Sequence, residues 1–154
     1  QIVIKFPNVK LVIIGDGPMR DEIQQQIKNA KIDDIHYLGR IIDGVDKYFA
    51  ASDCFVLPGI GGLALNQAMF WRKPCIVSEA DGTEDDLVID NKTGFRFEKA
   101  KLDSLSRAME NYIRLSNDDK KQMAVEARQI ITEKSNVNNM VDIFMSNIKR
   151  ITTN

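Results

Sequence analysis

Gly59, Gly61 and Gly62 stand close together in Pro58-Gly59-Ile60-Gly61-Gly62-Leu63-Ala64-Leu65-Asn66-Gln67-Ala68-Met69. Without Cβ atoms, the backbone amides there can close on an anion. A helix starting just behind them would add unpaired N–H groups and roughly half a positive charge. A phosphate group is the natural guest. The plainer reading is a tight strand-to-helix turn whose glycines serve packing alone. Gln67 falls on the second turn of that helix, and its amide both donates and accepts, which suits sugar hydroxyls. Arg40, just after Gly39, could pair with a phosphate or stack on a base; its plainer reading is a solvated surface charge.

Other candidates offer less. His36 has no partner identifiable in sequence and reads as structural. Glu79, Asp81, Glu84, Asp85 and Asp86 form an acidic cluster, but its spacing is not that of a calcium loop. Compensation of a helix dipole already accounts for three of the five. No metal is expected. Ser52, Ser78 and Thr83 carry no nucleophile signature, and the glycine turn lacks the serine of a nucleophile elbow. It also lacks the Gly-Lys-Ser/Thr of a Walker loop. Cys54 and Cys75 sit in apolar runs and read as small buried hydrophobes rather than a disulfide or a zinc site.

The elements that must position these residues alternate. Lys10-Leu11-Val12-Ile13-Ile14 is a continuous apolar run, expected to be a strand covered on both faces. It ends in Gly15-Asp16-Gly17-Pro18, with Pro18 placed for a first helical position. Ile23, Ile27 and Ala30 give the following helix one core-facing stripe. Ile35–Leu38 reads as a strand closed by Gly39-Arg40, and Val45, Tyr48 and Phe49 mark a short helix. Cys54–Leu57 is the strand before the glycine turn, and Lys73-Pro74 ends the helix after it. Cys75–Ser78 is a further strand. Thr83 is expected to cap an acidic helix start, and Asn91–Gly94 to turn the chain into Phe95-Arg96-Phe97.

The remainder is helical. Its stripes are Leu102, Leu105, Met109, Tyr112 and Ile113; Met123, Ala127, Ile130 and Ile131; and Val141, Phe144, Met145 and Ile148. This alternation predicts an α/β fold, a Rossmann-like open parallel sheet with helices on both faces. Ligands of such sheets bind at the carboxyl ends of the strands. Gly15, Gly39 and Gly59 to Gly62 are therefore expected on one rim.

The 154 residues amount to about one domain. A formal net charge of −1 gives no general field for nucleic acid or an anionic membrane surface. No apolar run approaches the roughly 20 residues of a membrane span, and no signal-peptide pattern opens the chain. Gln1–Pro7 reads as the tail of a helix without its start, as in a piece of a longer protein.

Leu11–Pro18, Tyr37–Arg40, Ala50–Pro58 and Leu87–Phe95 follow one another in an order and spacing that resembles the C-terminal, donor-binding domain of retaining GT-B glycosyltransferases (glycosyl transferases group 1). The resemblance covers nearly all of residues 1–154. It implies a donor-binding half-enzyme that transfers a hexose, with retention, from a nucleotide diphosphate sugar to a glycan or lipid-linked acceptor. Backbone amides of Ile60, Gly61, Gly62 and Leu63 would hold the diphosphate. Gly39, Arg40 and Ile41 would flank the base, and the turn carrying Gly15 and Gly17 would lie near the donor.

The family carries two glutamates eight positions apart, the first on the transferred sugar and the second on the ribose. Here Gly59 and Gln67 hold those positions. Gln67 loses the charge, a cost of about 1–2 kcal/mol in ribose binding. Asn66 lies about 100° round the helix and cannot stand in for it. The resemblance also implies an N-terminal acceptor domain as partner, and a preceding strand with a basic phosphate clamp. Without these the fragment should not turn over. It implies no metal or cofactor beyond the nucleotide-sugar substrate, no nucleic acid, a cytoplasmic protein, and membrane association, if any, through the N-terminal domain. The rival expectations are a non-catalytic scaffold of the same fold and, least supported by these residues, a nucleotide-sugar epimerase.

Overall fold

Glycine, proline and left-handed turn residues cut the chain into short parallel strands and the helices between them. The structure, a computed structural model, describes residues 2–60, 62–79 and 82–152, with the side chain of Thr83 left aside. The chain divides into two units, Gln1–Tyr48 and Phe49–Asn154.

In the first unit a short helix α1 (Ile2–Lys5) precedes β1 (Leu11–Ile14), α2 (Arg20–Ala30) and β2 (Ile35–Gly39). β1 and β2 pair in parallel, Leu11 opposite Ile35, with a register shift between Ile13 and Ile14 that sets Ile14 opposite Gly39. The expected two-sided cover of β1 is not found: Val12 is 46% exposed, and His36 and Leu38 are exposed on β2. α2 packs against β2 but fully buries no residue. Its Ile23 and Ile27 are half-buried while Ala30, expected in the stripe, is exposed. Pro18 is not the first helical residue. It lies in a turn closed by the Arg20 N–H on the Gly17 oxygen at 3.0 Å, and the helix begins at Arg20. Proline's fixed φ suits that turn position as well as a helix start.

α3 (Asp46–Ala51) leads into the second unit, which continues with β3 (Phe55–Leu57), α4 (Leu63–Phe70), β4 (Cys75–Ser78), α5 (Thr83–Leu87) and β5 (Gly94–Phe97). Three helices follow: α6 (Leu102–Arg114), α7 (Asn117–Glu133) and α8 (Val137–Thr152). β3, β4 and β5 form a parallel sheet in that order, with Phe55 opposite Cys75 and Cys75 opposite Gly94. All four residues of β4 are buried, as a central strand requires. Gly94 is buried where a Cβ would collide with the main chain of Cys75. Among the described residues the two sheets are separate; alternation of elements says that strands are parallel but not which ones pair.

α6 packs on β4 and β5, and Ala108 and Tyr112 join Ile76, Phe95, Phe97 and Met123 in one cluster. The Tyr112 hydroxyl donates to the Asp53 oxygen at 2.7 Å. Leu102, expected in the α6 stripe, is 79% exposed at the helix start. α7 is capped by Ser116, whose Oγ accepts the Asp119 N–H at 3.1 Å. Its buried Ala127, Ile130 and Ile131 belong to the helix that packs on α4, where Leu65, Ala68 and Met69 are buried. α8 starts on Asn136, which caps the Asn139 N–H at 2.8 Å. Its expected stripe exists, but every residue of it is exposed.

Candidate functional site

In the first unit the β1–α2 loop and the residues after β2 are tied together by their own groups. Gly15, at φ +149°, gives its N–H to the Gly39 oxygen at 2.9 Å, and its oxygen accepts the Tyr37 hydroxyl at 2.9 Å. The Gly17 N–H is taken by Asp16 Oδ1 at 3.0 Å, and Asp16 also faces Arg20 at 3.7 Å. Asp16, Gly17 and Arg40 line a hollow of about 510 Å³. Arg40 is exposed and Ile41 half-buried. Sequence reasoning passed over Asp16, which sets one negative group opposite one positive group in this hollow.

In the second unit β3 delivers the chain to Pro58 and Gly59. The Gly59 oxygen accepts the Ser78 hydroxyl at 3.4 Å, joining the turn to the end of β4. Ile60 is 71% exposed; Gly61 lies outside the described residues. Gly62 precedes α4 with φ +128°, ψ −156°, a conformation open to glycine and little else. It offers no side-chain cap. The first bonds of the helix run from the amides of Leu65 (3.0 Å) and Asn66 (3.4 Å) to the Gly62 oxygen. The amides of Leu63 and Ala64 precede these bonds and so have no partner within the helix. Both residues are exposed, Leu63 by 85%. Gln67 is exposed one turn further on. The expected pattern of free amides at a helix mouth is therefore present at Leu63 and Ala64, with the positive end of the eight-residue helix behind them.

Two further polar groups of this unit were missed in the sequence. Glu84 on α5 is 1% exposed, and neither of its carboxyl oxygens has a hydrogen-bond partner among the described residues. Asn66 Oδ1, in the first turn of α4, is likewise buried and unpartnered. Glu84 had been grouped with the exposed acids of the helix start. Spacing from Leu87 and Val88, both buried, was the available signal, since three and four residues along a helix share a face.

The rest of the acidic group is surface chemistry. Arg96 pairs with Asp85 and, at 3.5 Å, with Asp90, so its guanidinium is held above its ordinary pKa, chiefly by Asp85. Asp81 lies outside the described residues, as does the side chain of Thr83. The helix cap there is Gly82 rather than Thr83, which is the first helical residue. Among the described residues no cluster of His, Cys, Asp and Glu could hold a metal ion. Cys54 and Cys75 are free thiols. Burial, assisted by Asp53, pushes Cys54 up to about 12, and burial next to Cys54 raises Cys75. Neither is a nucleophile at neutral pH. His36 is exposed on β2. No described helix is long and apolar enough to cross a membrane.

The family model of glycosyl transferases group 1 matches residues 1–130. The chain belongs to that family. A curated relative, the uncharacterized glycosyltransferase MJ1059 of Methanocaldococcus jannaschii, is 30% identical over 60 residues, 39% of this chain and 15% of the relative. Among solved structures, a Staphylococcus aureus TarM variant in complex with fondaparinux, alpha-GlcNAc-glycerol and UDP matches with a TM-score of 0.81 at 19% identity, over 94% of this chain and 30% of that one. HepE of Anabaena in complex with UDP-glucose matches with a TM-score of 0.74 at 22% identity, over 94% and 42%. The C-terminal domain of the group 1 protein LpcC from Francisella tularensis gives 0.75 at 22% identity, over 88% and 74%. At these identities the structural likeness speaks for the α/β fold. The group 1 chain spans less than half of TarM, HepE or MJ1059.

Proposed function

We propose that this group 1 chain is the C-terminal, donor-binding half of a glycosyltransferase that moves a hexose from a nucleotide diphosphate sugar to a glycan or lipid-linked acceptor with retention. The observation that carries the reading is the pair of exposed amides of Leu63 and Ala64 at the mouth of α4, behind a Gly62 that no side chain obstructs. Such donors are fixed in place before reaction, so they stabilise negative charge that grows on a departing diphosphate without reorganising. Each hydrogen bond to that charged group is worth about 1.5–3 kcal/mol. The complexes of HepE with UDP-glucose and of TarM with UDP support a nucleotide donor here.

Gln67, exposed on the same helix, is assigned to the ribose, and Gly59, Ile60, Gly61 and Gly62 to the diphosphate turn. On the family resemblance, Gly39, Arg40 and Ile41 are assigned to the base, with Gly15 and Gly17 near the donor. Catalysis needs neither metal nor cofactor in this reading. It does need an N-terminal acceptor domain with its basic phosphate groups, so the fragment alone does not turn over. The parent protein works in the cytoplasm, building polysaccharide or glycolipid.

Isothermal titration with UDP, GDP and their sugar conjugates tests the proposal, followed by a transfer assay on the parent protein. Binding of a nucleoside diphosphate that weakens when Leu63 is altered supports it; no heat with any common nucleotide overturns it. A second reading is favoured by one specific feature, the lack of a carboxylate at both Gly59 and Gln67. It is a non-catalytic binding domain, and it predicts nucleotide binding or partner binding without transfer or hydrolysis by the parent.

A further inference from the structure

α8 is the one long amphipathic helix in the second unit that buries none of its residues. Val137, Met140, Val141, Ile143, Phe144, Met145, Ile148 and Ile151 are all between 39% and 77% exposed. Five of these, Val137, Val141, Phe144, Ile148 and Ile151, recur at alternating steps of four and three residues. That is the spacing of a seam which takes another helix nearly parallel to itself. Met140 and Met145 flank the seam, and the three charged side chains, Asp142, Lys149 and Arg150, lie away from it.

A lipid surface fits this face poorly, because an interfacial helix relies on a strongly basic polar face. Here one acid stands against two bases, among asparagines and serine, on a chain of net charge −1.

We infer that the α8 seam is a self-association surface, occupied by α8 of a second copy of this chain running antiparallel to it. Charge placement selects both occupant and direction. A parallel pair would set Asp142 level with Asp142, and the Lys149–Arg150 pair level with its own copy. An antiparallel pair centred on Ser146 stacks Val141 on Ile151 and Phe144 on Ile148 of the second copy. It brings Asp142 level with the second copy's Lys149 and Arg150 at both ends. The helix dipoles then oppose each other as well. Met145 of each copy meets its mate beside the two-fold axis.

The test is sedentation-free of any ligand: multi-angle light scattering of the 154-residue chain over a dilution series, alone and with charge-neutral or anionic phospholipid vesicles. The expected result is a concentration-dependent rise to twice the mass of the chain. Phe144→Glu weakens association about tenfold or more, since it would bury a charge in the seam. Asp142→Lys alone and Lys149→Asp/Arg150→Asp alone each weaken it, and the variant carrying all three substitutions recovers it. Circular dichroism of each variant shows whether the helix content is kept; a substitution that unfolds the chain is replaced by Ile148→Asn. A chain that stays monomeric throughout overturns the inference. So does a dimer indifferent to Phe144 and Ile148, a charge reversal without recovery, or a monomer that leaves solution only for vesicles.

Discussion

The β1–α2 loop and the turn before α4 are both glycine-rich, and both follow the carboxyl end of a parallel strand, yet they treat their amides in opposite ways. In the first, Gly15 gives its N–H to Gly39, and Gly17 gives its N–H to the carboxylate of Asp16. In the second, Gly62 has nothing with which to cap the helix, and the amides of Leu63 and Ala64 open to the surface. A glycine-rich motif therefore does not make an anion site by itself; what matters is whether the surrounding groups have already taken its donors. The same contrast extends to the carboxyls. Asp16 is engaged by Gly17 and Arg20, whereas Glu84 is sealed away without a partner among the described residues.

The sharpest way to break the contrast is to delete one open amide. Proline is well tolerated at the first position of a helix, where its missing N–H is not needed for the helix itself. Leu63→Pro removes one proposed phosphate donor and sacrifices little packing from a side chain already 85% exposed. The expected loss in nucleoside diphosphate affinity is about 1.5–3 kcal/mol, with the melting temperature nearly unchanged. Unaltered affinity by titration would show that the phosphate does not rest on this helix.

Gly62→Ala probes the backbone that holds the amides in place. An added Cβ would meet nothing within 4 Å, so the cost is that of φ +128° alone, about 1–3 kcal/mol of stability. Urea unfolding of the variant measures it, and a midpoint equal to the parent's would mean that the turn relaxes freely.

Glu84→Leu asks whether the sealed carboxyl is a burden. Replacing an unpartnered buried polar group with an apolar one of similar size should raise stability by about 1–2 kcal/mol. A fall of that size would reveal a partner for the carboxyl. The smallest effect is expected at Asp16→Asn in the closed loop. This residue keeps an acceptor for the Gly17 amide, so stability should move by less than about 0.5 kcal/mol. Diphosphate affinity should hold or improve slightly as one negative charge disappears; a large loss would transfer the phosphate-binding role to this loop.

Much of this was legible in the sequence, for identifiable reasons. Phe55–Leu57, the glycines and the helix from Leu63 could be read because a β-rich run, residues free of Cβ and a helical stripe are local signals. Ser116 and the acids at 118 and 119 marked the start of α7 in the same local way. What failed was always a question of neighbours. Val12 sits in a run that reads as a two-sided strand, yet it is exposed. The α7 and α8 stripes look alike on paper, but one is buried and the other bare. Glu84 and Asn66 could not be recognised as buried orphans, because a residue's type does not say which donors surround it.

Gly94 has a consequence for how the second sheet assembles. It sits opposite Cys75, where even a methyl group would run into the neighbouring main chain. Sliding β5 along β4 by a single residue would bring Thr93 or Phe95 to that crossing, and neither could enter. The narrow gap therefore works as a keyway: the growing sheet accepts one alignment of its last strand, and misaligned attempts are turned away before α6 can close over them.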